Sequence, residues 1–397
     1  MIFLHVLSLL VGLAVAAGLL GSALKTVVLP QEGFPRLSQA VFALVHRLMV
    51  HQRQEERRGS ALRSLYAPVA LVSLPLIWMI VIAFGFMCIF WSTGSLTWQK
   101  AFEISVSSLT TLGFSEPSGS LRIAIAFIEA TIGLGLVALL ISYLPTIYSA
   151  YNGREKGIFV LSPIAGTPPA VTGMLRTLHR TGTLETPEFW RTQTDWVIDA
   201  EQTHTAFPIL TYFPEARANL SWVATLGTLL DAAAVVVSAT ETSTRQVLED
   251  AEKGPLIALV YGVPAVDRIA RAASVPLPPA PDLLEITQHM ANDNDPAPDI
   301  SITRQEYRDT LAAVSTLLEI PDGIDPDEGW RRFTWLRAAY DRPLRALAGL
   351  THASPAPWTT DRPAAVGRPR FLRRRPLPVD WTLGPVRAAA PPGSRGG

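Results

Sequence analysis

An oxygen-rich stretch at residues 102–115, FEISVSSLTTLGFS, combines serine and threonine hydroxyls with a glycine. It lies between two long apolar runs and is too polar to span a membrane itself. Non-helical backbone persists at membrane depth only where it is buried in protein or lines a water-filled cavity. The stretch is therefore predicted to line a pore, where protein oxygens take the place of water around a permeating cation.

A short helix is predicted from about Trp98 to Leu109, because Phe102, Val106 and Leu109 would share one face. Residues 110–115 would follow as an extended segment, and the Glu-Pro-Ser-Gly sequence at 116–119 would form its exit loop. The sequence thus predicts a re-entrant structure: a helix that enters the membrane, followed by a short segment that returns to the side from which the helix entered.

Apolar segments at residues 2–24, 66–91 and 121–151 are each predicted to cross a membrane, which needs about 20 residues. For residues 2–24 a signal peptide is the alternative, although no Lys or Arg precedes Lys25. Residues 25–65 form a basic connector that the positive-inside rule places in the cytoplasm, together with the C-terminus. Within it, residues 37–48 predict an amphipathic helix, with a charged linker as the alternative.

The third apolar segment carries residues that could support or gate a pore. Glu129 lies deep within it, where a carboxyl group is costly. It would either face the pore as a cation site or hydrogen-bond to a Ser or Thr of the short helix, and the second role is favoured. Gly133 and Gly135 would serve as a hinge or as positions of close helix packing. Pro145 is expected to kink or end the helix.

Residues 66–156 resemble the outer helix, pore loop and inner helix of the bacterial two-transmembrane potassium-channel-like family. The motif SLTTLGF, placed between two spans, carries the resemblance. The resemblance implies a homotetramer, because each chain supplies one of the four pore loops. It further implies passive conduction of potassium through a selectivity filter formed by Thr110, Thr111, Leu112, Gly113, Phe114 and Ser115.

The sequence departs from the family motif at the end of this filter. Ser115 stands in place of the second filter glycine, and Glu116 in place of the following aspartate. Glycine adopts a positive φ at little cost, whereas serine is penalised there. A weakly selective pore for monovalent cations, sodium included, is therefore one alternative. A non-conducting membrane scaffold or sensor with a filter-like loop is another.

Residues 157–352 are predicted to form a mainly helical cytoplasmic domain. Residues 221–239 are nearly all apolar, with the charged Asp231 among them, and they predict a buried core helix in preference to a fourth span. A further helix at 255–273 is expected to break at Pro264. The domain's ligand, if any, is left open by the sequence.

The predicted fold class is an all-α membrane protein: three transmembrane helices with a re-entrant pore helix and filter, the helical cytoplasmic domain, and a disordered tail at 353–397. The tail is rich in Pro and Arg, a composition that does not bury enough apolar surface to fold. The predicted location is the cell membrane, multi-pass, and the predicted partners are the lipid bilayer and further copies of the chain.

Composition argues against several other functions. Lys plus Arg and Asp plus Glu number 34 each, so no attraction to nucleic acid is expected, and the single cysteine, Cys88, excludes a disulfide framework. His179 and His204 have no second ligand or triad residue at a suitable spacing. No enzymatic activity is predicted, and no cofactor or metal beyond the permeant cation.

Overall fold

The structure, a computed structural model, describes residues 2–27, 58–213, 215, 217, 219–240, 254–278, 283–291, 297–315, 326–366, 379–381 and 387. The amphipathic helix predicted at 37–48 lies outside these residues. The chain divides into two compact units, which we call unit 1 (up to Ser149) and unit 2 (from Ala150).

The fold is predominantly helical. The described helices are α1 (Ile2–Val27), α2 (Arg58–Ser92), α3 (Trp98–Leu109), α4 (Ser120–Ala165), α5 (Val171–Arg180), α6 (Pro187–Ala206), α7 (Trp222–Thr240), α8 (Pro255–Ala272), α9 (Leu283–Ala291), α10 (Arg304–Val314) and α11 (Pro326–Thr351). A 3-10 helix spans Pro208–Tyr212, and β1 (Ala365–Val366) pairs antiparallel with β2 (Val379–Asp380).

Three helical segments among the described residues are long and apolar enough to cross a membrane: Ile2–Ala23, Ser120–Ala165 and Trp222–Ala239. The first two contain spans predicted from the sequence. The remaining predicted span, at 66–91, lies within α2, and its described apolar part is the shorter segment Leu76–Ser92. The helices thus have the character of a membrane protein.

Helix α1 packs closely on α2 within unit 1. A Cβ added at Gly12 would lie 2.6 Å from the Gly85 carbonyl oxygen, so the two backbones cross with no room for a side chain. Beside this crossing, the Ser8 hydroxyl donates to the Cys88 carbonyl at 2.8 Å. The helix predicted at 2–24 is therefore an integral part of unit 1.

Helix α4 is 46 residues long and continues past Tyr151, where the sequence predicted its end. It also runs through Pro145 without ending, because a proline removes only one backbone donor from a long helix. Its last turns belong to unit 2, where Ile158 and Leu161 are buried. Burial of these side chains explains why the helix extends beyond the polar sequence at 152–157.

Helix α6 fixes this end of α4 within unit 2. A Cβ added at Gly157 would lie 2.2 Å from the indole ring of Trp196. The same indole N–H donates to the Arg154 carbonyl at 3.1 Å. The ring therefore lies directly on the α4 backbone.

Helix α7 lies in the core of unit 2, where nearly every residue of Trp222–Ala239 is buried by protein. This confirms the prediction of a core helix. Helix α8 packs against it, with Gly262 next to Leu230. The break predicted at Pro264 is wrong: α8 is a single helix, because Val263, Ala265 and Val266 are all held in the core.

The prediction of a disordered tail from residue 353 is wrong for the tail residues that the structure describes. Arg362 is buried and bonds to both Glu306 carboxylate oxygens, at 2.6 and 3.1 Å, and to the Ser301 carbonyl. Burial raises the pKa of Glu306, but its bonds to Arg362 and Thr303 outweigh this effect and lower the pKa to about 2. Paired charges compensate here for the scarcity of apolar residues, and amino-acid composition alone does not reveal such pairs.

Candidate functional site

Helix α3 positions the candidate pore loop. Thr97 caps its N-terminus, accepting a hydrogen bond from the Lys100 N–H at 3.2 Å. The buried residues of the helix are Ala101, Ile104, Ser105, Ser107 and Leu109. The predicted helix agrees with the structure, but its buried side is not the face of Phe102: this ring is half exposed, whereas the hydroxyls of Ser105 and Ser107 turn inward, where they have hydrogen-bond partners.

The C-terminus of α3 is a Schellman motif with a threonine in the left-handed position. The Thr111 N–H donates to the Ser108 carbonyl, and the Leu112 N–H donates to the Ser107 carbonyl, each at 3.1 Å. Thr111 has a φ of 56°, which β-branched residues rarely adopt. The fully extended segment predicted from Thr110 is therefore wrong at its start: Thr110 is still helical and Thr111 is left-handed.

The segment after this turn is exposed and then anchored. Leu112 is 72% and Phe114 58% exposed, and between them Gly113 has a φ of 70°. Ser115 is buried, and its N–H donates to the Ser107 hydroxyl oxygen at 3.0 Å. Ser115 does not adopt a positive φ, so the penalty anticipated for serine at this position does not arise.

Glu129 of α4 lies behind α3 and is completely buried. Its Oε1 is 2.5 Å from the Ser105 hydroxyl, which is also 2.9 Å from the Ala83 carbonyl of α2. The sequence left two placements open for Glu129. The structure has the second of them, a contact with a serine of the short helix. Three helices thus meet at Ser105.

The two glycines of α4 have different surroundings. A Cβ added at Gly133 would lie 2.3 Å from the Leu109 carbonyl oxygen, at the last residue of α3. A Cβ added at Gly135 would meet no atom within 4 Å. Gly133 is therefore a packing position that lets α4 approach the end of α3, whereas no such contact constrains Gly135.

Substituting alanine at these positions should separate the two roles. We expect Gly133→Ala to destabilise unit 1 by about 1–3 kcal/mol through overpacking. We expect Gly135→Ala to stabilise it by up to about 1 kcal/mol, since alanine favours a helix over glycine. Thermal unfolding of the purified protein in detergent measures both, and equal melting temperatures for the two variants would contradict the packing role.

Arg122 is a structural residue whose role was not predicted from the sequence. Its guanidinium donates to the Thr93 hydroxyl at 2.8 Å, the Gly94 carbonyl at 2.7 Å and the Ser95 hydroxyl at 2.8 Å. A further contact reaches the Ser118 hydroxyl at 3.3 Å, in the exit loop. Arg122 therefore joins the turn before α3 to the loop after the candidate filter. The clue in the sequence was a lone basic residue at the start of an apolar segment.

The described part of the chain holds no group of three or more His, Cys, Asp or Glu side chains arranged to bind a metal ion. Its candidate functional atoms are instead the backbone and hydroxyl oxygens of residues 110–115. Comparison with known proteins finds no match for this chain among family models, curated proteins or solved structures.

Proposed function

We propose that this chain forms a passive cation pore in the cell membrane, assembled from four copies, with potassium as the preferred ion. The observation that supports the proposal is the contrast along the segment after α3. Leu112 and Phe114 are largely exposed, whereas the flanking Leu109 and Ser115 are buried. Backbone at membrane depth must be covered by protein or line water. Four copies of the chain around a central axis would satisfy that requirement, because the carbonyl groups of their residues 111–114 would face a permeating ion.

Backbone strain at Thr111 also supports this proposal. A left-handed conformation costs a non-glycine residue about 1–2 kcal/mol, and such strain clusters at functional sites. Glycine is the usual residue at this position of a Schellman motif. A threonine there supplies a hydroxyl oxygen at the inner end of the proposed filter, which a glycine would lack.

A weakly selective pore for monovalent cations is the second candidate, and it is favoured by the backbone around Ser115. The Ser115 N–H is tied to Ser107, and its φ is not positive. The outer end of the proposed filter therefore differs from one built on two glycines. Sodium would then pass at a rate close to that of potassium.

Cation flux into liposomes containing the purified full-length protein tests the proposal. We expect potassium flux that is faster than sodium flux, and loss of flux in Gly113→Ala. The matched control is Gly182→Ala, because Gly182 has a similar φ of 66° and equally open surroundings but lies after α5 in unit 2. Both variants carry the same backbone strain, and only the first should lose flux.

Thr111→Gly separates function from folding. It removes the left-handed strain, so we expect a fold more stable by about 1 kcal/mol together with reduced potassium preference. Equal sodium and potassium flux in the unmodified protein would favour the weakly selective pore. A protein that passes no cation, or that crosslinks only to a dimer, would overturn the proposal in favour of a scaffold.

A further inference from the structure

Three buried oxygen atoms, one each from α4, α3 and α2, contact one another in succession. The Ser105 hydroxyl oxygen is 2.5 Å from Glu129 Oε1 and 2.9 Å from the Ala83 carbonyl oxygen. Glu129 and Ser105 are each 0% exposed. Both separations are hydrogen-bond distances, so each needs a hydrogen between its two oxygens.

One hydroxyl cannot supply both hydrogens. The Ser105 hydroxyl has a single hydrogen to donate, and the Ala83 carbonyl has none. If Ser105 donates to Ala83, the hydrogen of the shorter contact must come from the Glu129 carboxyl group. If Ser105 instead donates to an ionised Glu129, the Ala83 carbonyl faces a hydroxyl lone pair at 2.9 Å with no hydrogen between them.

The surroundings offer no compensation for an ionised carboxylate. Glu129 Oε2 has no hydrogen-bond partner among the described residues. On α3, the exposed Lys100 and Glu103 pair with each other, and on α4 the Arg122 guanidinium bonds to the turn before α3. The apolar segment Leu76–Ser92 of α2 contains no Asp, Glu, Lys or Arg. A buried charge without a partner or a full set of hydrogen bonds is among the most costly features in a protein.

We infer that Glu129 is a neutral carboxylic acid that donates to Ser105, whose hydroxyl in turn donates to the Ala83 carbonyl. Both hydrogen bonds are donated in the same direction, from α4 to α3 and from α3 to α2, and they join the three helices without any net charge. Glu129 is thus a positioning residue that holds α3, and through α3 the segment at 110–115. The importance of that position for conduction rests on the proposed function, whereas the chain of hydrogen bonds does not.

Infrared spectroscopy of the full-length protein in lipid tests where the proton lies. At pH 7 we expect a C=O stretching band of a buried carboxylic acid that is absent in Glu129→Gln. The band should shift in frequency in Ser105→Ala, because its hydrogen-bond acceptor is removed. A spectrum with no such band, or one in which the Glu129→Gln variant loses a carboxylate band instead, would overturn the inference.

Glu129→Gln also provides a test by conservative replacement. Glutamine can donate from its amide N–H to Ser105, so the melting temperature of Glu129→Gln should match that of the unmodified protein. The two melting temperatures should agree equally well at pH 5 and at pH 8. Glu129→Leu has similar bulk but cannot donate, and it should unfold at a lower temperature. A Glu129→Gln penalty that grows with pH would show that the carboxyl group ionises, and would contradict the inference.

These outcomes are distinguishable from failure of the proposed function. An acid band together with an absence of cation flux would leave the hydrogen-bond chain in place and remove the pore. Flux without the band would keep the pore and reject a neutral Glu129.

Discussion

Replacing Arg337 with methionine is expected to destabilise unit 2 by about 3–5 kcal/mol, because it leaves a carboxylate buried without a counter-charge. Arg337 Nε lies 3.4 Å from Asp231 Oδ1, and both side chains are completely buried. Arg337 Nη2 lies 3.2 Å from Asp341 Oδ1 and donates to the Trp358 carbonyl at 3.0 Å. Burial lowers the pKa of Arg337, but the two carboxylates outweigh this effect and raise it above the usual value. The guanidinium is therefore charged at all accessible pH values.

The double variant Arg337→Met, Asp231→Leu tests whether the loss comes from the unpaired charge. A buried ion pair exchanged as a whole for apolar residues often costs little, so the double variant should be more stable than Arg337→Met alone. As a control, Arg304 forms an exposed ion pair with Asp327, and Arg304→Met should change stability by less than about 0.5 kcal/mol. Unfolding monitored by tryptophan fluorescence measures all three, and a double variant no better than the single would contradict the reasoning.

Acid should weaken unit 2 through His204. The ring is completely buried, lies 4.6 Å from the Trp222 ring, and places Nδ1 2.7 Å from the Ala200 carbonyl oxygen. Because a carbonyl only accepts, Nδ1 carries the hydrogen and donates it. Burial, with a further contribution from the positive charge of Arg154, lowers the pKa of His204 from 6.5 to about 3, although the bond to Ala200 opposes the change.

The direction of the pH effect follows from which state binds the proton. Below about pH 6.5 the unfolded chain protonates this histidine, whereas the folded unit does not until about pH 3. His204 therefore does not lower the free energy of unfolding above about pH 6.5. Below that pH the free energy of unfolding falls as the pH falls, and this loss stops near pH 3. At pH 5, about 1.5 pH units below the unfolded value, the loss is about 2 kcal/mol.

The variant His204→Phe keeps an aromatic ring against Trp222 and cannot titrate. We expect it to remove about 2 kcal/mol of the stability lost between pH 7 and pH 5. His179→Phe is the matched control, because His179 is exposed at the end of α5. This variant should leave the pH dependence of the free energy of unfolding unchanged. If both variants have the profile of the unmodified protein, His204 is not the group responsible.

Apolar patterning predicted most helices, and it predicted the limits of α3, α7 and α8 to within a residue, but it did not predict the start of α2 or the end of α4. The α7 core helix was predictable because Asp231 is too costly for a membrane. Its buried partner Arg337 was not predictable from the sequence. The end of α4 and the continuity of α8 were mispredicted, because local rules for polar residues and proline do not include the energy of packing in unit 2.

The loop after α3 was predicted in position and less so in conformation. The sequence pattern placed residues 110–119 between α3 and α4, and the cost of a buried carboxyl group favoured a hydrogen bond between Glu129 and a serine or threonine. The left-handed Thr111 was not predictable, because threonine disfavours that conformation and the accompanying hydrogen bonds to the Ser107 and Ser108 carbonyls are not visible in the sequence. Arg122 was missed because its partners are backbone and hydroxyl groups of a distant turn, which leave no pattern in the sequence.

The packed tail makes the order of synthesis relevant to folding. Arg362 is made after α10 and α11, yet it supplies the guanidinium that pairs with Glu306, and the backbone of Ala364 donates to the Arg345 carbonyl at 3.0 Å. Domains generally fold as units during synthesis. The ion pair of Glu306 with Arg362 can therefore form only after residue 362 has been made. We expect proteolytic removal of residues 356–366 to leave Glu306 without its arginine partner.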